Sequence, residues 1–298
     1  MPVWRPRPEW LREAVASALG QRGCSIELIV VDNGNDAPVS DQLTALTDAR
    51  ARTIRIEQAG VSRARNVGMA EAHGAFVRFI DCDDVLEPDS TRRLLDLGPD
   101  GLTITYGATE YCDAEMRPYK IVTCALQGSI VEHALTDFTV TLQAILFPRQ
   151  VVDLVGAWDE TMTMCEDWDF VARALEHAPV RGDTQVAIRY RRHATSAVGR
   201  ASIDLSERSA ARVIERYVAR HPEHRESPWV RRAHAVRLTV AGERYLRAGR
   251  GAAALSRFAT GLRADPAYTL RVISGIVRRE VRARTPYRAA STPRGPAA

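Results

Sequence analysis

Phe79-Ile80-Asp81-Cys82-Asp83-Asp84 sets three carboxylates within four positions, directly after the apolar run Phe76 to Ile80. The run reads as a buried strand, and α/β folds open their ligand crevice at the carboxyl ends of parallel strands. Carboxylates so close repel one another unless a cation or hydrogen-bond donors neutralise them. Oxygen-only ligands favour a hard divalent ion, Mg²⁺ or Mn²⁺, of the kind that accompanies phosphorylated substrates. The alternative is a solvated acidic loop that leads through Pro88-Asp89-Ser90 into a helix.

Working outward, Glu9 to Gln21 has the spacing of an amphipathic helix, with Leu11, Val15, Ala18 and Leu19 on one face. Ile26 to Val31 is a short buried strand closed by the turn residues Asp32-Asn33-Gly34-Asn35. Val39 to Arg50 is expected as a helix, Thr53 to Glu57 as a strand, and Ser62 to His73 as a helix ended by Gly74. This alternation predicts a doubly wound α/β sheet. The pattern then changes. Leu102 to Cys112 and Tyr119 to Cys124 read as strands joined by a hairpin, followed by a strand at Ala144 to Phe147 and a helix at Arg149 to Val155. A second acidic group, Glu166-Asp167-Trp168-Asp169, opens a helix running to His177, and Gln185 to Tyr190 forms a last strand before Arg191-Arg192-His193.

After residue 203 the chain reads as helical and rich in Ala and Arg. Ala233 to Ala248 and Ala252 to Ala264 resemble one tetratricopeptide-like helix pair, where a free-standing solenoid needs about three units. The expected organisation is a body at 1–203, a basic helical extension at 204–284 and a disordered Pro/Ala/Arg-rich tail at 285–298.

The 298 residues carry a net charge of +4, which divides into −8 over 1–200 and +12 over 201–298. Only Lys120 among the basic residues is a lysine. Arginine's planar fork suits phosphate, although a compositional habit of the source accounts for the bias equally well. The segment Leu270 to Arg279 mixes apolar and basic positions, compatible with lying on an anionic membrane surface or with packing on the body. No apolar run approaches the roughly 20 residues of a membrane span, and Met1 to Pro6 lacks a signal-peptide core. Five cysteines without a Cys-x-x-Cys pair indicate neither a disulfide framework nor a zinc site. A cytoplasmic protein is expected, with peripheral contact at the inner face of the membrane through the basic tail. No nucleic-acid recognition fold accompanies the charge.

Six stretches, taken together, resemble family-2 glycosyltransferases. Ile29 to Asn35 is similar to their V-D-D-G-S element, and Gly60 to Gly68 to G-x-x-x-A-R-N-x-G. Phe79 to Leu86 with Pro88 resembles F-x-D-x-D-D-x-x-x-P, and Phe147 to Glu160, through Val155 to Glu160, resembles hG-x-F-D-E. Glu166 to Phe170 is similar to E-D-x-D-h, and Tyr190 to His193 to Y-R-x-H. The order matches over about 200 residues.

The resemblance implies a GT-A fold, a Rossmann-like mixed sheet flanked by helices, here with a C-terminal helical extension. It implies metal-dependent, inverting transfer of a sugar, of hexosyltransferase type, from a nucleotide diphosphate to an acceptor hydroxyl. The acceptor class implied is a cell-surface glycan, a polysaccharide under synthesis or a small metabolite. Carried over by position, Asp32 would bond the nucleobase, and Arg65 and Asn66 would lie near the nucleotide and diphosphate. Asp81 and Asp83 would hold the metal (Mn²⁺ or Mg²⁺) and ribose, supported by Asp84. Asp167, beside Glu166, would be the base, and Arg191 with His193 would close over the diphosphate. The chemistry asks for the same division. A departing diphosphate needs a cation and Arg donors, and an attacking hydroxyl needs a carboxylate to take its proton.

Two departures stand out. Asn33 replaces a common Asp, and Met1 to Trp4 corresponds only to the end of the family's first strand, so that strand is expected to be missing and the start to be assigned too late. Competing readings are a haloacid-dehalogenase-like phosphatase with Asp81 as nucleophile, a nucleotidyltransferase, and a non-catalytic scaffold working through its basic helices.

Overall fold

The computed structural model describes residues 1–43, 48–136, 140–196 and 201–284, with side chains to residue 279. The expected disordered tail, 285–298, lies outside the described residues. Two compact units are present, Met1–Val230 and Arg231–Ala298.

In the first unit, strands β1 (Pro2–Val3), β2 (Leu28–Asn33) and β3 (Ala51–Ile56) form a parallel sheet in that order. Every residue of β2 is buried, as a strand covered on both faces requires. A second sheet contains β4 (Phe76–Arg78), β5 (Val85–Leu86), β6 (Ile104–Cys112), β7 (Pro118–Val122), β8 (Gln127–Gly128), β9 (Ile145–Pro148) and β10 (Val180–Arg191). Its order is β4-β9-β6-β10-β5, with β7 on β6 and β8 on β10. It is mixed: β6 and β10 run parallel, whereas β9 is antiparallel to both its neighbours. The β6–β7 hairpin forms as the sequence predicts. Strand β10 is longer than expected because irregular pairing around Gly182–Ile188 lets the ladder continue. A Cβ at Gly182 would fall 2.3 Å from the ring of buried Tyr106, so only glycine lets these strands close.

Helices α1 (Pro8–Leu19), α2 (Val61–Glu71), α3 (Ser90–Leu97), α4 (Val131–Thr136), α5 (Arg149–Val155) and α6 (Glu166–His177) flank the sheets. Proline opens α1, where its missing N–H costs nothing, and Leu11, Ala14, Val15, Ala18 and Leu19 bury one face. The helix expected over Val39 to Arg50 is not seen in the described residues. Val39–Gln42 makes a 3-10 turn, and Asp48 Oδ1 accepts from the Arg50 backbone N–H at 3.0 Å, a local bond that competes with a helical turn. Residues 44–47 lie outside the described set.

The core that carries the site is aromatic. Trp158 stacks on Phe170 with ring centroids 4.1 Å apart, and Phe79 meets Trp158, Phe147 and Phe170 edge-on. Such pairs add about 0.5–1.5 kcal/mol each beyond the area they bury. The core fixes the end of the β4 segment against the start of α6.

Strand β1 is only two residues long, and β2 and β4 belong to separate sheets. Between them lie cavities of about 100 and 360 Å³, both lined by Leu28, Phe76 and Arg78. The Met1 ammonium is buried there, donating to Ile29 O at 2.8 Å. Burial pulls its pKa down to about 5.

Helix α7 (Ile203–Arg220), expected to open the extension, belongs to the first unit. Val213, Ile214 and Tyr217 are buried, Arg216 pairs with Asp159 and Asp169, and Arg220 with Glu176. Its arginines are thus largely spent on the acidic body, and the boundary falls at Val230 rather than 203. Helix α8 (Pro228–Arg247) crosses that boundary. The second unit continues with α9 (Gly251–Ala264) and α10 (Pro266–Arg284). There Arg232 pairs with Asp265, and Gly261 abuts Thr269. Among the described residues no helix is long and apolar enough to cross a membrane.

Candidate active site

Arg65 is the centre of the site. It lies on α2, 5 % exposed, with its guanidinium 4.7 Å over the Trp158 ring. Nη2 donates to Asp81 Oδ1 at 3.3 Å, and Nη1 donates to Glu166 Oε1 at 3.0 Å. One arginine therefore ties the carboxylate cluster after β4 to the acidic start of α6. Burial works against its charge, but Asp81, Glu166 and Asp167 outweigh it and hold its pKa above the ordinary value.

On the β4 side, Asp81 Oδ2 also accepts from Gln143 Nε2 at 2.5 Å. Asp83 Oδ2 stands 2.8 Å from His193 Nε2. Asp84 is 1 % exposed; Oδ1 accepts from the Arg191 backbone N–H at 2.8 Å, whereas Oδ2 is buried without a partner. Burial first, then repulsion from Asp81, pushes the Asp83 carboxyl up against the opposing pull of His193. Burial, then Asp83 and Asp81, pushes Asp84 well above the carboxylate range. Two carboxyls raised in this way, one with an orphaned oxygen, fit a divalent cation. The three carboxylates do not converge on one point, since the one close trio of ligand atoms among the described residues lies elsewhere. A cation here would take Asp83 or Asp81 and complete its shell with non-protein oxygens, as Mg²⁺ commonly does.

On the α6 side, Cys165 adopts a left-handed conformation (φ 60°), and the helix begins at the next residue. Arg5 and Met116 also have positive φ, so at Cys165 this conformation marks the sharp entry into the helix. Glu166 is raised by burial and by its neighbour Asp167, with Arg65 opposing. Asp167 is exposed, its Oδ1 accepting from the Trp168 backbone N–H at 2.8 Å. Trp168 turns away, donating from Nε1 to Ala134 O at 2.8 Å.

The other expected residues hold the frame. Asp32 is 1 % exposed and accepts from Asn35 Nδ2 at 2.6 Å, Val39 N at 3.1 Å and Arg55 Nη1 at 3.3 Å, fixing the loop after β2. Gly34 in that loop has φ +67°, and a Cβ there would meet Ala59 N at 2.8 Å. Asn66 accepts from Trp158 N at 2.7 Å and donates to Trp158 O at 3.1 Å, pinning the loop before α6 onto α2. Arg191 is 3 % exposed, and every guanidinium nitrogen is engaged: Nε with Asp83 O, Nη1 with Ala114 O and Nη2 with Glu13. It also lies 4.7 Å over Trp10. His193 packs at 4.8 Å on the same Trp10 ring.

Sequence reading missed Gln143, Trp10 and Glu13. A polar residue inside the apolar stretch Leu142-Gln143-Ala144-Ile145 is a signal for the first. Trp10 and Glu13 read only as helix positions, because their role depends on where α1 packs.

A mixed sheet with one acid cluster at a strand end and another at a helix start defines a GT-A-like fold. The sequence profile described as "Glycosyl transferase family 2" matches residues 1–149, half of the chain, and the chain belongs to that family. A region of TarS from S. aureus, residues 1–349, solved in complex with UDP-GlcNAc, superposes with a TM-score of 0.56 at 13 % identity, covering 88 % of this chain and 89 % of that one. Among curated relatives, the succinoglycan biosynthesis protein ExoO of Rhizobium meliloti is 34 % identical over 84 residues, 28 % of this chain and 24 % of that protein. An uncharacterised glycosyltransferase of Haemophilus influenzae is 29 % identical over 127 residues, 41 % of this chain and 50 % of its own length. The putative glycosyltransferase EpsH of Bacillus subtilis is 35 % identical over 108 residues, 35 % of this chain and 31 % of EpsH. The matches thus span between a quarter and a half of these relatives. Family membership sets aside the dehalogenase-like reading of Asp81.

Proposed function

We propose that the chain transfers a sugar from a nucleotide diphosphate sugar to an acceptor hydroxyl, with inversion at the anomeric carbon and dependence on a divalent ion. The observation that carries this reading is Arg65, which bonds both Asp81 and Glu166 and so brings two acid groups remote in sequence into one cleft. Asp167 is the base: it is exposed and accepts no hydrogen bond from an arginine in the described contacts, although the charge of Arg65 is nearby. It accepts the hydroxyl proton as the oxygen attacks, from the face opposite the departing diphosphate. Glu166, held by Arg65, fixes the geometry of the helix start.

Asp83 and Asp81 would hold Mn²⁺ or Mg²⁺, with Asp84 keeping the turn rigid. The bound ion supplies Lewis-acid stabilisation of the leaving diphosphate's charge. His193, set between Asp83 and Thr195, orients the Asp83 carboxylate. Arg191 and Asn66, fully engaged with protein groups, act as positioning residues. Asp32 and the loop it organises form the nucleobase end. The UDP-GlcNAc carried by the TarS complex makes UDP-sugars the first donors to try. Relatives named for succinoglycan biosynthesis make a cell-surface polysaccharide the first acceptor class. Contact of the basic helices with an anionic membrane belongs to the same reading, since such acceptors are assembled at membranes.

The test is a nucleotide-release screen over UDP-, GDP- and dTDP-sugars with Mn²⁺, Mg²⁺ or chelator. Release that depends on one donor, one acceptor and a metal supports the proposal. Absence of release with every donor, in a chain shown to be folded, counts in favour of a scaffold.

A further inference from the structure

We propose that His221, Glu223 and His224 bind one borderline divalent transition-metal ion, foremost zinc, at a site separate from the donor-side acids. One ligand atom from each of the three lies within 4.8 Å of the other two. The sequence His221-Pro222-Glu223-His224 brings them together because proline opens the 3-10 turn Pro222–His224 directly after α7. His221 Nδ1 stands 3.5 Å from Glu223 Oε1. Two ligands of a tetrahedral ion with bonds of about 2.1 Å are about 3.4 Å apart, so this pair is already spaced for metal.

Both imidazoles are oriented from behind. His221 Nε2 lies 3.0 Å from Glu176 Oε2, and Arg220 holds the same carboxylate through Oε1 at 2.6 Å. His224 Nδ1 lies 2.8 Å from the Tyr217 hydroxyl. A carboxylate or hydroxyl on one ring nitrogen fixes the tautomer and presents the other as a lone pair, the usual support for a metal-bound histidine. Tyr217 stacks on the His224 ring with an interplanar angle of 8°, which restricts its rotation. An open cleft of about 410 Å³, bordered also by Glu132 and Trp229, leaves room for water as a fourth ligand.

Two imidazoles and a carboxylate select Zn²⁺, Co²⁺, Ni²⁺ or Cu²⁺ over Mg²⁺ and Mn²⁺, which prefer oxygen. The site is also remote from the donor-side acids. Glu166 and Glu176 sit at opposite ends of α6, about 15 Å apart along the helix axis. An ion at His221 would lock the turn after α7 onto the far end of the helix that carries Asp167.

The experiment is a zinc titration of the tag-free full chain by calorimetry with Mg²⁺ saturating, paired with Co²⁺ absorption to read tetrahedral coordination. One ion per chain is expected, with a tetrahedral Co²⁺ spectrum. His221→Ala and His224→Ala should each weaken binding by about tenfold or more, and Glu223→Gln, on an exposed side chain, should do so without disturbing the fold. Asp83→Asn should leave zinc affinity unchanged. A chain that takes no zinc from a weak chelator overturns the proposal. So does zinc binding that survives in the histidine and Glu223→Gln variants, or that disappears in Asp83→Asn while surviving in them.

Discussion

The two acid groups of the cleft differ in how they are held. Asp81, Asp83 and Asp84 follow a strand end and are pinned by Gln143, His193 and the Arg191 backbone, and burial with repulsion inside the cluster raises Asp83 and Asp84. Glu166 and Asp167 start a helix, where the dipole favours negative charge, and only Glu166 is tied down. On the proposed reading, the first group is the one a cation would neutralise. The second leaves one carboxylate open to solvent and to substrate.

Substitutions separate the two. Asp167→Asn should lower transfer by about a thousandfold, within the range of a lost general base, with donor affinity unchanged in a binding assay; full turnover would exclude Asp167 as base. Asp83→Asn should instead weaken metal-dependent donor binding by about ten- to a hundredfold, the scale of a perturbed metal shell. Chelator should then have little further effect on donor affinity. Arg65→Met strikes both groups at once. It leaves Asp81 and Glu166 without their buried partner and should cost about 3 kcal/mol in denaturant unfolding, partly recovered at acid pH where the carboxyls are protonated.

Smaller effects test the frame. Asn66→Ala should cost about 1–2 kcal/mol by freeing the Trp158 loop while leaving the donor dissociation constant within twofold. A tenfold loss of donor affinity would make Asn66 a ligand.

The N-terminus gives a pH test with a defined sign. The Met1 amine has a folded pKa of about 5 against an ordinary 8.0. Between those values the unfolded chain binds the proton and the folded chain does not, so this group makes stability rise with pH across that window. The span is of order 4 kcal/mol, at about 1.36 kcal/mol per pKa unit. The raised Asp83 and Asp84 act oppositely, costing stability as pH climbs above the ordinary carboxylate range. Acetylating the Met1 amine, which removes the titrating group, should flatten the rise between pH 5 and 8 in melting curves; an unchanged pH slope would refute it.

Much of this was legible in the sequence because it depends on local pattern. The helix at Glu166–His177 and the β6–β7 hairpin follow from spacing and turn residues. The order of the two acid groups was equally readable. The Val39–Arg50 segment was not, since an apolar spacing that suits a helix competes there with the local bond of Asp48. Which of the expected site residues are already held by protein groups was also hidden. Arg191 and Asn66 resemble ligand residues by position, yet their partners Glu13, Ala114 and Trp158 lie far away in the chain. Only the packing of α1 and α2 shows that these side chains are already occupied.

One guanidinium shared across the cleft has an electrical consequence. A cation bound beside Asp81 would compete for a carboxylate that Arg65 now holds, and would leave the arginine's charge more fully to Glu166. On the proposed reading, loading the donor side would thereby be felt at the helix start before an acceptor docks, and this one side chain would link the two halves of the reaction.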